Sequence, residues 1–164
     1  MKSLSLTLIA VFALAGNAAG QTDTTLSQGT VEAEFRRNAA WVLGRVNLEN
    51  EYFLYLDTSQ VAITLLTDRV RRTGSGYDLW VTWYYKEPRS ARYGSYQYDH
   101  VLEHMIVTCT SRRWGTLRSV AYRNTEVVDD VQSPTSPPRM EEMLPNSVGE
   151  AMLNNLCHYV QRRN

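Results

Sequence analysis

The chain has 164 residues, with 17 basic and 17 acidic side chains in balance. That length suits one domain with a real core and is short for two. The near-zero charge excludes a nucleic-acid binder and a polybasic membrane arm. Beyond Lys2, Lys86 is the only lysine, so almost all the positive charge is arginine. Guanidinium forks suit carboxylate or phosphate partners, although surface charge is usually just solvation.

Lys2 supplies a positive start, Leu4 to Ala15 is apolar except for Ser5 and Thr7, and Ala18 and Gly20 precede Gln21. This is the pattern of a secretory signal peptide over 1–20, cut between Gly20 and Gln21. No later stretch approaches the ~20 apolar residues a membrane helix needs. No cysteine lies near the cut, so a lipid anchor is not expected. The expected location is the periplasm or the cell exterior.

Residues 21–39 read as a flexible or partly helical lead-in, with a short helix near Val31 to Ala40, and 40–161 as the folded domain. Trp41 to Val46 reads as a first strand. Tyr52 to Asp57 is a second, rich in the aromatic residues that suit a half-buried sheet. Val61 to Leu66 is another. Thr73-Gly74-Ser75-Gly76 is a turn between two extended segments. Tyr77 to Lys86 alternates, with Leu79, Val81 and Trp83 on one side and Trp80, Thr82 and Tyr84 on the other. Both faces carry bulk, which places this strand centrally, one face under a helix and the other an aromatic surface. Pro88 is expected to end it.

Tyr93 to Thr110 holds the next strand, with Val101, Met105, Val107 and Cys109 on one face. Arg112 to Arg123 is its antiparallel return, and Thr125 to Val131 an edge strand. Ser133 to Pro138 is a loop, because its prolines forbid helix and ladder alike. Ser147 and Glu150 then form a capping-box pattern. Val148, Met152, Leu156 and Tyr159 follow as an apolar stripe, with Leu153, Cys157 and Val160 beside it. A helix of about four turns must dock on something to persist in water.

Cys109 and Cys157 are the only cysteines. In an oxidising compartment one intramolecular bridge is their simplest fate, and a redox role is disfavoured without a Cys-x-x-Cys. The fold class that follows is α+β: a single antiparallel sheet of about five to six strands, with a C-terminal helix on one face tethered by the disulfide.

Signatures of chemistry are missing: no G-x-S-x-G elbow, P-loop, dinucleotide fingerprint or H-E-x-x-H. His100 and His104 would stand about 13 Å apart on a strand, too far to share a metal ion. Asp57 after a strand fits a turn better than a catalytic acid. Glu141 and Glu142 fit a solvated pair. No catalytic residue, metal or cofactor is therefore expected. The aromatic and arginine side chains between Trp80 and Tyr98 fit either cross-strand sheet pairs or an interface. The interface reading names Trp80, Tyr84, Arg89, Arg92 and Tyr96.

Trp41, the Tyr55-Leu56-Asp57 triplet, the LWVTWYYK run from Leu79, Val107-Thr108-Cys109 with Arg112-Arg113 after it, and the closing LPNSVGEAMLNNLC together resemble the surface-adhesin protein E family of exported bacterial proteins. The resemblance spans Trp41 to Cys157. It implies a sheet with a disulfide-held C-terminal helix, a place in the cell envelope, and the binding of host matrix and serum proteins by the member that names the family. The expectation is a non-enzymatic, adhesin-like domain that binds a protein partner or itself. The alternative is a small-ligand carrier, which requires a deep cavity between sheet and helix lined by Trp80, Trp83 or Met105.

Overall fold

A computed structural model describes residues 37–57, 59–74, 76–91 and 95–163. The predicted signal peptide and most of the lead-in lie outside the described residues. Within them, one antiparallel sheet carries most of the chain. Its strands are β1 (Glu51–Asp57), β2 (Val61–Leu66), β3 (Arg71–Thr73), β4 (Gly76–Ser90), β5 (Gln97–Thr108), β6 (Arg113–Arg123), β7 (Glu126–Gln132) and β8 (Glu141–Glu142). The main path runs β1-β2-β4-β5-β6-β7, with β3 extending the β2 side of β4 and β8 pairing with the start of β6.

Two helices flank this sheet: α1, described over 37–43, and α2 (Val148–Arg162). The α2 start is capped as the sequence predicts. Ser147 Oγ accepts from the Glu150 N–H at 3.1 Å, while Glu150 Oε2 accepts from the Asn146 N–H at 2.7 Å. The first free amides of the helix are thus partly satisfied before packing begins.

The first face of the sheet is the one α2 covers. Met152, Leu153, Leu156 and Val160 pack against Leu54, Ile63, Leu65, Leu79, Val81, Met105 and Val107, all 2 % exposed or less. Alternation on β4 and β5 puts these side chains on one side. At ~1.5–3 kcal/mol for each fully buried side chain, this layer dominates stability. Cys109 and Cys157 bridge with Cα atoms 5.6 Å apart, joining the turn just after β5 to α2. A bulge between Phe53 and Tyr55 leaves Leu54 outside the β1–β2 register. Asn155 Nδ2 on α2 donates to the Leu54 carbonyl at 2.7 Å, so a helix side chain supplies a partner at the bulge.

Two elements differ from expectation. Trp41 to Val46 is not a strand: residues 37–43 are helical, and the Arg45 and Val46 amides both donate to the Val42 carbonyl. Ala39, Val42 and Val46 follow a helical period and form a second core with Ala62 and Tyr84 on the other sheet face. Nor does Pro88 end its strand. β4 continues to Ser90, and the irregularity between Tyr84 and Arg89 accommodates the proline. β2 stops opposite Tyr85, so a missing N–H at position 88 costs no bond on that side.

Candidate interaction surface

The second face of the sheet is built in cross-strand rows. Across β4, β5 and β6 these are Asp78–Ile106–Gly115, Trp80–His104–Arg118, Thr82–Leu102–Val120 and Tyr84–His100–Tyr122. At one end α1 and its following turn cover Ala62 and Tyr84. Farther along, Trp80, Leu102, Ile106 and Tyr122 are half-buried and belong to neither core.

The rings on this face are ordered by stacking. Trp80 lies flat on His104, with centroids 4.5 Å apart and planes 2° from parallel, and His104 Nε2 pairs with Asp78 Oδ1 at 2.7 Å. His100 lies flat on Tyr122 at 4.8 Å. In the next strands Arg118 grips Asp130 through two hydrogen bonds of 2.5 and 2.8 Å. Large rings whose rotamers are already fixed present contact area at little further entropic cost.

Asp99 anchors the covered end. Its Oδ1 meets Arg45 Nη2 at 2.6 Å and His100 Nδ1 at 2.7 Å, and its Oδ2 accepts from the Asn124 N–H at 2.7 Å. Arg45 also donates to the Tyr85 carbonyl and lies over the Tyr84 ring. The residues just after α1 are thereby tied to β4, β5 and the β6–β7 turn. Burial works to raise the Asp99 pKa, but these bonds outweigh it and hold the carboxyl below its ordinary value.

The residues named from the sequence fall into different settings. Trp80 stands on the half-buried part of the second face. Tyr84 shares that face but is 7 % exposed beneath α1, with its hydroxyl donating to Glu51. Burial, then the Glu51 charge, push its pKa upward. Arg89 lies over Tyr85 near the far end of β4, about 30 Å along the strand from Trp80. Tyr96 donates to Asp129 of β7. Arg92 lies outside the described residues. The four that are described therefore do not meet as one patch. Ile106, Leu102, His104 and Tyr122 join Trp80 instead, and only strand register brings them to it.

His100 and His104 share the second face, as a strand requires, and each is engaged by its own aspartate. No group of three or more potential metal ligands occurs among the described residues. Beneath the middle of α2 the space against the sheet is filled: Leu79, Val81, Met105, Met152 and Leu156 are completely buried. The cavity that a small-ligand carrier needs there is absent among the described residues.

One antiparallel sheet, a disulfide-tethered helix on its first face and a partly open second face define a small α+β domain. The chain belongs to the surface-adhesin protein E family, which it matches over residues 49–158. That span contains both cysteines and every strand among the described residues, while α1 precedes it. No curated protein and no solved structure matches the chain significantly. The family is one of surface proteins, and no helix among the described residues is long and apolar enough to cross a membrane.

Proposed function

We propose that this is an exported, non-enzymatic protein-binding domain of the cell envelope, and that Trp80 lies at the centre of its contact surface. The observation that carries the reading is the set of stacked rings and apolar side chains on the second sheet face that neither core absorbs. Aromatic residues and arginine at the middle of a preordered surface are the usual source of binding energy between proteins. Family membership supports adhesion as the role. The signal-peptide pattern supports export.

Photo-crosslinking side chains placed singly at positions 80, 102 and 154, in the full chain expressed in its own envelope, test the surface. Position 154 is exposed on α2 and serves as the control. Positions 80 and 102 should capture one defined protein, or a second copy of the chain, far more efficiently than 154. Equal yields from all three positions, or capture from 154 alone, would sink the proposal.

A further inference from the structure

A second site, independent of the aromatic face, lies where β3 approaches the C-terminal end of α2. There an open cleft of about 260 Å³ is lined by Thr67, Val70, Arg72, Tyr77, Tyr159, Val160 and Arg163 among the described residues. Two guanidinium groups thus line one small volume, with no acidic side chain among the described residues of its wall. Arg72 makes no ion pair among the described residues, and Arg163 is held by a neutral partner. Its Nη1 donates to the Tyr159 hydroxyl at 2.5 Å, and its guanidinium carbon lies 5.3 Å from the centre of the Tyr159 ring. Tyr159 is fixed in turn against Tyr52, with ring centroids 4.7 Å apart.

Arg72 reaches the cleft by register. It pairs with Tyr77 across β3 and β4, so the two side chains share the face that α2 covers. Arg69 and Arg162 adjoin the lining residues Val70 and Arg163 in sequence, and Asp68 lies 3.7 Å from Arg69. The last carbonyls of α2 bring about half a negative charge to this end of the helix. Arg162 and Arg163 more than offset it. Arg72 and Arg163 are the charged side chains among the described lining residues, and they stand between apolar walls contributed by Val70 and the two tyrosines.

We propose that this cleft binds a single-ring organic oxyanion, with the ring between the Tyr77 and Tyr159 walls and the phosphate, sulfate or carboxylate held by Arg72 and Arg163. Planar guanidinium forks match such anions with paired hydrogen bonds. Prior fixation of Arg163 by Tyr159 lowers the ordering cost of binding. The volume admits about one ring with its charged group, below the usual range for larger ligands.

Titration of the purified full chain, followed by isotope-detected NMR of arginine side chains, tests this with glucose 6-phosphate, phenyl phosphate, glucose and inorganic phosphate as probes. One or both ring-bearing phosphates should shift the Arg72 and Arg163 signals saturably, and which one does so separates sugar from aromatic ligands. Glucose should shift neither signal, and inorganic phosphate should bind at least tenfold more weakly. R72A and R163A should each weaken binding about tenfold or more, with R123A unchanged and all three variants melting like the parent. Inorganic phosphate binding as tightly as the ring phosphates, equal shifts at every arginine, or no saturation with any probe would overturn the proposal.

Discussion

Glu103 is where burial and charge oppose each other most directly. It lies on the α2-facing side of β5, opposite Val81 and Ser119, and accepts from Trp83 Nε1 at 2.8 Å. Burial raises its pKa above the ordinary glutamate value, and the Trp83 bond only partly counters this. The folded state therefore holds this proton more tightly than the unfolded chain. Its contribution to stability falls as pH rises from the ordinary value through the raised one. Glu103→Gln keeps an acceptor for Trp83 and removes the ionisation. Urea unfolding should show the variant gaining on the parent as pH rises above the ordinary glutamate value of about 4.3; an advantage that does not grow with pH would refute the account. Asp99 behaves in the opposite sense. Its lowered pKa means that its stabilisation is complete above about pH 3.9, the ordinary aspartate value, and is lost as pH falls through the folded-state value. Asp99→Asn should cost about 2 kcal/mol at neutral pH, with the gap narrowing in acid, as read by the same unfolding curves. Neither role was legible in the sequence. Period-two alternation places Asp99 and Glu103 on one face, but their partners Arg45, Asn124 and Trp83 are distant along the chain.

At the scale of elements, local grammar and tertiary packing divide the work. α2 was legible down to its cap, because capping depends on neighbours three or four residues apart. Ser147→Ala should lower stability by about 1 kcal/mol, measurable by thermal or urea unfolding. The same change in a Glu150→Ala background should cost less, since Glu150 also closes the cap through Asn146. α1 was the opposite case. Trp41 to Val46 contains the β-branched and aromatic residues favoured in strands, yet the 39, 42, 46 spacing of its buried residues is helical. The decisive term is the docking surface offered by Ala62, Phe53 and Leu56, which propensity alone does not contain. Pro88 repeats the lesson: its effect depends on where the neighbouring strand stops. β3 and β8 are too short to signal themselves, and exist because longer strands offer them free edges.

Across the whole molecule, the Cys109–Cys157 bridge closes a loop of 48 residues in sequence separation between the sheet and its covering helix. Removing it frees the unfolded chain to explore more conformations, a cost of roughly 4 kcal/mol in the chain-entropy model. The double Cys→Ser variant should lose about that much in urea unfolding, and mass spectrometry of the unreduced parent should detect no free thiol. A loss well under 1 kcal/mol would mean that α2 docks as firmly without its tether. By itself, the sequence determined the sheet order of magnitude, the polarity of its central strand, the capped terminal helix, the disulfide and the family. Each depends on residue type, short-range spacing or cysteine count. Only the tertiary structure decided which aromatic residues share a surface, that Tyr84 lies beneath α1, and that Arg72 and Arg163 face one cleft. Those outcomes depend on register and on docking between segments far apart in the chain, where a shift of one residue would send every side chain to the other face.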